Sequence, residues 1–471
     1  MLGRKTVDGR FSYVRSNMTA AKRFVLVNPI NPARTGLTVN KSSRFPPIGL
    51  GIVAALTPNS WEVTLIDENW EPFSYQEADL VGITAFTATA TRAYEIAAIY
   101  RKRGVPVVMG GIHASMCSDE ALRFVDTVVV GEAEGVWHQV IADFESGQLN
   151  SLYRGEPAEL KNAPWPRREL FHPDYLFASV QTSRGCPMDC EFCSVTAFNG
   201  RRYRRRPEEE VLAELESIPH KMLFFVDDNI IGYGSESRGR ALALFKGMAE
   251  RELGKWWFCQ ASLNFADDEE VLHWAGQAGC KMVFLGLEAE EVDALMEVNK
   301  RLNLKRGVGS YAEAFRRIQR AGIAVLGAFI FGIDSDTPDK LRRRAKYMMR
   351  SGVDVMQSTA LTPLPGTRLF ERYEQEGRLL YTDFPGDWDH YDMTEVIHRP
   401  GSMTQEALTT LNDNLSKRMY GWGVLVRKAL GTLWRTRDMT ATMFAWNSNI
   451  NYRNVDKGIR ELRAESNDYA T

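Results

Sequence analysis

The chain has 471 residues, of which 44% are hydrophobic and 25% charged, so we expect several globular domains with large cores. Its 58 lysines and arginines nearly balance 60 aspartates and glutamates, and the net charge of −2 gives no general argument for a nucleic-acid partner or an acidic tail. The longest apolar run, from Ile323 to Ile333, is far too short to span a membrane.

The first third of the chain alternates short β-branched segments with helical ones. Residues 1–20 are polar and lack periodicity, and we expect them to be poorly ordered. The pattern predicts helices that begin at Pro46-Pro47 and at about residue 91, and buried strands over 24–29, 63–67, 80–84, 105–111 and 127–131. This alternation predicts an α/β fold with a doubly wound parallel sheet that is covered on both faces.

Small and polar residues follow the strands of this predicted sheet. Ligands of such sheets bind beyond the carboxyl ends of the strands, which here carry Asn28, Asp67, Thr84, Gly110-Gly111 and Gly131-Glu132. The paired glycines allow the backbone to approach a ligand closely, but they suit a plain strand-to-helix turn equally well. His113 follows them, and a lone histidine in this position is more often structural than a cofactor contact.

A proline-rich stretch separates this part from the next. Residues 150–176 contain four prolines that interrupt regular structure, at positions 157, 164, 166 and 173. We predict that they form a linker, in which Trp165 packs between domains.

Three of the six cysteines lie within eight residues with the spacing C-x3-C-x2-C: Cys186, Cys190 and Cys193. Three thiolates so close together can hold one soft metal centre from a single loop. A four-iron cluster would keep one iron free for a substrate or cofactor, with the ring of Phe192 beside it. The pattern favours this cluster over zinc, which normally takes four ligands, and over a disulfide, which would leave one cysteine over. Free thiols and the lack of a secretion signal predict a cytoplasmic location.

From residue 177 the alternation of strands and helices resumes with longer helices. Strands are predicted over 177–182, 222–227, 256–261, 282–288, 323–332 and 353–359, and helices over about 207–217, 236–252, 268–279, 306–320 and 338–350. Six such units make a partial (β/α)6 barrel. The cysteine loop follows the first strand, at the carboxyl end where barrel chemistry takes place.

Two arginine-rich runs and an aromatic stretch remain. Residues 201–206 contain five arginines close to the cysteine loop, and contact with an anionic substrate or RNA is one interpretation. Residues 342–344 lie on a predicted helix and are expected to form a solvated face. Residues 380–400 contain Trp388, His390, Tyr391 and His398 and are predicted to close over the barrel mouth.

Beyond residue 404 the pattern is helical. The segment over 420–435 mixes Trp, Leu and Arg, which suits an amphipathic helix at a membrane surface or over a lipid-like substrate. Ordinary helical packing is the interpretation that the pattern favours.

The spacing of the cysteines, with an aromatic residue before the last one, resembles the radical S-adenosylmethionine (SAM) superfamily. The resemblance implies a [4Fe–4S] cluster on Cys186, Cys190 and Cys193 whose fourth iron binds SAM, and reductive cleavage of SAM to a 5′-deoxyadenosyl radical. It also implies that SAM contacts Phe192 of the cysteine loop and residues at or near the ends of the barrel strands, namely Asp227, Asp228, Gln260, Glu288, Gly327 and Asp336.

Residues 22–145 resemble the cobalamin-binding domain of class B radical SAM proteins. The matching features are Pro-Pro-x-Gly-Leu, the strand end Gly-Ile-Thr-x-Phe and Gly-Gly-x-His, and they imply that cobalamin contacts Thr84, Gly110, Gly111 and His113. The Asp-x-His-x-x-Gly motif is absent, so the resemblance assigns no protein ligand to cobalt. The predicted domains are a Rossmann-like cobalamin-binding domain over 22–149, a linker over 150–176, a radical SAM barrel over 177–370 and a mostly helical region over 371–471.

These resemblances imply a cobalamin-dependent radical SAM enzyme. We expect a C-methyltransferase that acts on an unactivated carbon of a small-molecule or lipid-like substrate and receives electrons from a donor such as flavodoxin or ferredoxin. The main alternative is a radical cyclase or oxidase that uses cobalamin without methyl transfer. A tRNA methylthiotransferase would need a second cysteine cluster upstream, where only Cys117 lies, and a corrinoid or cluster carrier would not need the SAM-like strand ends. No nucleic-acid partner is expected, and a peripheral membrane contact depends on the C-terminal helix.

Overall fold

The protein was analysed as a computed structural model, which describes residues 21–31, 41 and 44–468, and side chains as far as residue 464. The predicted poorly ordered start, residues 1–20, lies outside the described residues. Two parallel sheets of six strands each dominate the described part.

The first sheet has the strand order β2-β1-β3-β4-β5-β6 and all its neighbours run parallel. Its strands are β1 (Arg23–Asn28), β2 (Glu62–Asp67), β3 (Leu80–Thr84), β4 (Val107–Gly110), β5 (Thr127–Gly131) and β6 (Leu152–Gly155). The helices between them are α1 (Ile48–Leu56), α2 (Ala90–Arg101), α3 (Ile112–Met116), α4 (Ser118–Ala121) and α5 (Trp137–Glu145). The order reverses between β1 and β3, which is where such sheets open a crevice. The predicted doubly wound fold is confirmed.

The predicted linker is wrong in one respect, because its first residues form a strand. β6 pairs with β5 in register from Val128↔Leu152 to Gly131↔Gly155 and so extends the first sheet. The prolines that suggested a linker begin only after this strand, at Pro157.

The second sheet runs in chain order and forms a partial barrel, as predicted. Its strands are β7 (Phe177–Val180), β10 (Met222–Phe225), β11 (Trp256–Ala261), β12 (Cys280–Glu288), β13 (Ala324–Phe331) and β14 (Val355–Ala360). Two short strands, β8 (Ser183–Arg184) and β9 (Arg204–Arg205), pair antiparallel outside it. The helices are α6 (Ser194–Asn199), α7 (Glu208–Ser217), α8 (Ser235–Glu250), α9 (Glu269–Gln277), α10 (Val292–Glu297), α11 (Arg301–Arg306), α12 (Tyr311–Arg320) and α13 (Pro338–Arg350).

Four helices follow the barrel, and the last of them packs on its strands. They are α14 (Arg368–Gln375), α15 (Gln405–Met419), α16 (Trp422–Thr436) and α17 (Met439–Asp468). Ala441 and Ala445 of α17 pack with Met282, Leu326 and other residues of β12, β13 and β14. The alternate residues of these strands, such as Val283 and Val325, pack instead in the larger core that includes α12 and α13. The second sheet is therefore sandwiched between α17 and its own crossover helices. No helix within the described residues is long and apolar enough to cross a membrane.

The aromatic stretch over 380–400 packs against the first domain. Trp388 donates its indole N–H to Glu120 at 3.0 Å, and its ring stacks on Phe384 at 3.6 Å. The amide of Asn31, just beyond β1, donates to the carbonyl of Asp389 at 2.8 Å. The stretch also contacts the carboxyl ends of two barrel strands: Nε2 of His398 lies 3.1 Å from the carbonyl oxygen of Gly332, and the backbone of Ala360 donates to Met393 at 2.9 Å. It therefore joins the first domain to the ends of β13 and β14, and its closing over the barrel mouth stays a prediction.

Candidate active site

The three clustered cysteines lie in a loop between β8 and α6, just beyond the carboxyl end of β7. Gly185 opens this loop with a φ of +89°, and a Cβ there would lie 2.3 Å from the carbonyl oxygen of Arg202, so only glycine fits. The backbone of Cys186 donates to Gly200 at 3.2 Å, and that of Glu191 donates to Val298 at 3.3 Å. The loop is thus fixed by backbone contacts that leave its thiol groups free.

The donor set of this loop fits an iron–sulfur cluster. All three thiols are half-buried, and burial raises the pKa of each, that of Cys193 to about 11. Among the described residues no three side chains already converge on one metal ion. A four-iron cluster binds each thiolate at a different iron, so its ligands need not converge on one point. A cavity of about 140 Å³ opens beside Cys190 and is lined also by Pro187, Met188, Asp189, Arg201, Ser262, Lys300, Arg301 and Leu302.

A buried ion pair lies next to the three thiols. Glu288, at the end of β12, accepts a hydrogen bond from Lys300 at 2.7 Å, and both side chains are largely buried. Burial opposes the charge of Lys300, but Glu288 and the nearby thiols of Cys190 and Cys193 outweigh it and raise the pKa of the amine. Glu288 has a φ of +63°, an unusual conformation for a residue other than glycine. Such strain clusters at functional sites.

The two aspartates after β10 differ in what they contact. Asp227 is fully buried and accepts hydrogen bonds from the hydroxyl of Thr182 at 2.7 Å and from Ser183. It therefore anchors the strand that leads into the cysteine loop and is not accessible from the mouth. Asp228 is half-exposed, and one of its oxygens accepts from the backbone of Gly185 at 3.0 Å. Burial raises the pKa of Asp228.

Three other predicted SAM contacts take different positions. Gln260 is half-exposed at the end of β11. A Cβ on Gly327 would lie 2.8 Å from Leu287 and from Val353, so this glycine permits packing with the outer core. Asp336 is buried and accepts from the backbone of Gly332 at 3.0 Å and from Arg344 at 2.8 Å. Asp336 thus stabilises the turn after β13 from inside the core.

Phe192 is half-buried and packs at the margin of the core that joins the first sheet to the segment after the barrel. It lies between Glu191 and Cys193, so its backbone is part of the fixed loop. This core contains residues of the first sheet and also residues after β12 and β13, such as Val298 and Ile333.

The carboxyl edge of the first sheet is built from backbone and small side chains. Thr84 is in register with Gly110, and a Cβ on Gly111 would lie 2.6 Å from the hydroxyl of Thr84. Gly111 has a φ of 92° and a ψ of −177°, a region that only glycine occupies readily. Phe86, two residues beyond β3, is 71% exposed at the same edge. Backbone and small side chains beside an exposed aromatic ring fit a large planar ligand such as a corrin.

His113 is not at this edge. It is fully buried, and its Nε2 lies 3.1 Å from the hydroxyl of Tyr94 and 3.3 Å from Glu120. The indole ring of Trp388 packs against it at 5.3 Å. His113 does follow the end of β4 in the chain, as the sequence indicates, but it lies on α3, which directs its side chain into the core.

The first sheet and the cysteine loop are joined by a buried cluster of charges. Glu132 follows β5, and its carboxylate accepts from Arg184 at 2.8 Å and from Arg204 at 2.9 Å. Arg184 and Arg204 belong to β8 and β9, the pair that carries the cysteine loop. Burial opposes the charge of Glu132, but the two arginines outweigh it and lower the pKa of the carboxyl. The carboxyl edges of the two sheets are therefore held next to each other.

This cluster also corrects the interpretation of the arginine runs. Each arginine of the first run has an acidic partner: Arg201 with Asp189, Arg202 with Glu159, Arg204 with Glu132, Arg205 with Glu236 and Arg206 with Glu214. In the second run, Arg344 is fully buried between Asp336 and Glu290 and is not part of a solvated face. Arg342 and Arg343 are exposed, so the solvated face is confirmed for these two residues. The buried arginines of both runs build the fold, and the ion pairs of the first run do not favour the interpretation of an RNA surface. Arg201 lines the cavity beside Cys190, so substrate contact stays a prediction for that residue.

Sequence reasoning missed Lys300 and Glu132. Lys300 lies in an ordinary polar stretch with no motif around it. Glu132 was noted as a strand-end residue, but its partners are more than fifty residues away in the chain. A signal existed only for Arg204, as part of the basic run, and charge alone did not indicate where that run would fold.

Two family models match the chain in the order of its two sheets. The B12 binding domain model matches residues 34–141, and the Radical SAM superfamily model matches residues 180–348. Among curated proteins, the chain is similar to a bacteriochlorophyllide d C-12(1)-methyltransferase of Chlorobaculum tepidum, with 28% identity over 87% of this chain and 90% of that protein. It is 30% identical to a hopanoid C-2 methylase of Rhodopseudomonas palustris over 72% of this chain and 66% of that protein.

A cyclase and a solved methyltransferase structure are also similar. The anaerobic magnesium-protoporphyrin IX monomethyl ester cyclase of Rubrivivax gelatinosus is 24% identical over 73% of this chain and 66% of its own length. The radical SAM methyltransferase TsrM of Kitasatospora setae, solved with cobalamin and a [4Fe–4S] cluster, has a TM-score of 0.63 and 17% identity, over 94% of this chain and all of that one. At this identity the structural likeness shows the fold.

Proposed function

Because this chain belongs to the class B radical SAM enzymes, whose cofactors are a [4Fe–4S] cluster, SAM and cobalamin, we propose that it transfers a methyl group to an unactivated carbon of its substrate. The observation that carries the proposal is the buried link through Glu132, which holds the edge of the first sheet beside the cysteine loop. A methyl donor and a radical source must reach the same carbon, and the contact of Glu132 with Arg184 and Arg204 supports this, because it joins the first sheet to the cysteine loop.

The residues divide into three roles in this proposal. Cys186, Cys190 and Cys193 hold the cluster. Asp228, Gln260 and Glu288 line the SAM side of the mouth, with Phe192 next to the loop. The Thr84 and Gly110-Gly111 edge, with the exposed ring of Phe86, carries cobalamin. When bound, the cluster and SAM supply a radical that abstracts hydrogen, and cobalamin supplies the methyl group.

The supporting residues prepare this site without touching the ligands. Asp227 fixes the strand before the cysteine loop, Asp336 fixes the turn after β13, and Gly327 lets β13 pack on its outer side. His113 takes the same kind of role, because its buried contacts with Tyr94 and Glu120 fix α3 behind the glycine edge. Rigid support of this kind is what keeps a reactive site in its productive geometry.

We propose a hydrophobic small molecule as the substrate, such as a tetrapyrrole or a polycyclic lipid. The relatives named above act on a bacteriochlorophyllide and on hopanoids. The paired arginines leave the mouth without the basic surface that a nucleic acid would need. Electrons would come from a donor such as flavodoxin or ferredoxin, and the reaction would take place in the cytoplasm.

Product analysis tests the proposal directly. The anaerobically reconstituted enzyme is given SAM and a reductant, with a chlorophyllide or a hopanoid as trial substrate. We expect S-adenosylhomocysteine, 5′-deoxyadenosine and a product that is heavier by one methyl group, all detected by mass spectrometry. 5′-Deoxyadenosine without S-adenosylhomocysteine or a heavier product would indicate a cyclase or oxidase, which the similarity to the anaerobic cyclase makes the second candidate. If no 5′-deoxyadenosine formed in assays with a trial substrate or in assays without one, the protein would be a carrier and not an enzyme.

A further inference from the structure

Helix α16 presents a stripe of large apolar side chains to solvent. The stripe consists of Trp422, Val426, Leu430 and Trp434, which follow one another at intervals of four residues and so lie on one face of the helix. Their exposed fractions are 55%, 45%, 65% and 83%. Single exposed apolar residues are ordinary, but a continuous row along a whole helix marks an interaction surface.

The stripe continues beyond α16 and includes a groove. Met439 and Met443 of α17 are 60% and 56% exposed. A groove of about 440 Å³ lies at the end of α16 and is lined by Leu430, Leu433, Trp434 and Arg437. Three apolar walls with one arginine suit an amphiphile that has an apolar chain and an anionic head.

The opposite face of α16 is firmly attached to the barrel. Leu425 is fully buried, and Thr432 donates to Asp354 at 2.8 Å. The amine of Lys428 donates to the carbonyl oxygens of Met348 at 2.6 Å and Val353 at 2.7 Å. The stripe is therefore held facing outward and cannot be buried by a rotation of the helix.

The charged side chains of the helix that carries the stripe have one sign. Residues 421–437 contain four lysines and arginines and no aspartate or glutamate. Two of the four, Arg427 and Arg437, are exposed. Arg427 reaches the carbonyl of Met349 at 3.4 Å, which places it next to the exposed Arg350 at the end of α13. Asp438, the first acid after α16, is paired with Lys281 at 2.7 Å.

We propose that the α16 stripe docks the protein on a bilayer that contains anionic lipids. The helix would lie in the plane of the interface, with its apolar side chains among the acyl chains and its arginines at the phosphates. Tryptophans at both ends of the stripe fit this depth, since indole rings favour the interface. A second copy of the chain fits less well, because a symmetric contact through the stripe would bring cationic faces together.

Docking here would leave the reaction site free. The end of α16 adjoins Asp438, which pairs with Lys281 near the start of β12. The cysteine loop lies at the opposite, carboxyl end of the barrel strands. A membrane-bound enzyme would therefore keep its mouth open to solvent.

Vesicle flotation tests the docking with the full-length protein. We expect the protein to float with vesicles of equal parts phosphatidylcholine and phosphatidylglycerol, and at least tenfold less with phosphatidylcholine alone. Leu430→Glu/Trp434→Glu should reduce flotation at least tenfold, and Arg427→Gln/Arg437→Gln should reduce it severalfold on anionic vesicles only. Val292→Glu/Met296→Glu is the matched control, because this pair on α10 has the same spacing and similar exposure.

The competing outcomes are distinct. If the wild-type chain does not float with either vesicle, the proposal is wrong. If sedimentation without lipid gives a dimer that Leu430→Glu/Trp434→Glu converts to a monomer, the stripe is a self-association surface and the proposal is equally wrong. SAM cleavage in solution should be the same in all variants, which verifies that they are folded.

Discussion

The carboxyl edges of the two sheets are built from opposite materials. The edge of the first sheet consists of backbone and small groups, namely Thr84, Gly110 and Gly111. The edge of the second carries three thiols and the buried pair of Glu288 with Lys300. A large flat ligand needs open space and close backbone approach, whereas a small charged cofactor needs ligands and counter-charges. Ligand binding at the first edge should therefore be weakened by added side-chain bulk, and ligand binding at the second edge by removal of individual thiols or charged groups.

The largest effect should come from removing the thiols. We expect Cys186→Ala/Cys190→Ala/Cys193→Ala to lose the cluster and all SAM cleavage, because Cys259 and Cys280 are buried on β11 and β12 and Cys117 lies in the first domain. Iron and sulfide analysis and assay of 5′-deoxyadenosine measure this. Corrinoid binding to the first sheet should persist in the same variant, which separates the two edges.

Cys117→Ala is the control for this variant. Cys117 is also half-buried, and burial raises its pKa to about 12, but it lies in the first domain between α3 and α4. The Cys117→Ala variant should keep both the cluster and SAM cleavage. A full cluster in the triple variant would contradict the assignment.

The next largest effect concerns the contact that joins the two edges. Glu132→Gln leaves the buried Arg204 without its acidic partner, which typically costs about 3–5 kcal/mol of stability, whereas Arg184 keeps its ion pair with Glu134. Denaturant unfolding measures the loss. Glu159→Gln is the matched control, since it removes the exposed partner of Arg202 in the same arginine run and should change little.

This effect should depend on pH in a defined direction. The pKa of Glu132 is lowered in the folded protein, so its contribution is complete above the ordinary glutamate pKa of about 4.3 and is lost as the pH falls below that value. The difference between wild type and Glu132→Gln should therefore shrink on acidification below about pH 4. A difference that stayed constant down to pH 3 would mean that the ion pair is not the cause.

Local patterns predicted the elements well and the side-chain directions poorly. Strands such as β3, β5 and β11 were predicted to the residue, because alternation and turn residues are local signals. Asp227, Asp336 and His113 were placed at strand ends correctly, yet all three point into the core. Their direction depends on Thr182, Arg344 and Tyr94, partners that are distant or not signalled by any pattern.

Bulk at the first edge should have an intermediate effect. Gly111→Ala places a methyl group 2.6 Å from the hydroxyl of Thr84 in a backbone conformation that other residues avoid. We expect a loss of about 1–3 kcal/mol and weaker corrinoid retention after desalting. Gly104→Ala is the control, because Gly104 also has a positive φ but no atom within 4 Å. If both variants lost stability equally and kept the corrinoid, the close approach to Thr84 would not be the cause of the destabilisation, and added bulk at Gly111 would not affect corrinoid binding.

The smallest effect should be electrostatic and confined to the second edge. Lys300 lies beside the thiols, and its cation favours the reduced cluster, which carries one more negative charge. Lys300→Met should lower the midpoint potential by roughly tens of millivolts, as a redox titration followed by electron paramagnetic resonance would show. The iron content should stay the same, because Lys300 is not a ligand.

Two further variants make this last effect specific. Lys305→Met removes an exposed cation from α11, the short helix that begins just after Lys300, and should leave the potential unchanged because solvent screens that charge. Glu288→Gln/Lys300→Met also removes the carboxylate that Lys300→Met would leave buried and unpaired, so it should restore stability. Removing that anion should also raise the potential part of the way towards the wild-type value. An unchanged potential in Lys300→Met would mean that the thiols and the backbone alone determine the midpoint potential. In that case charged side chains would matter as little at the second edge as at the first.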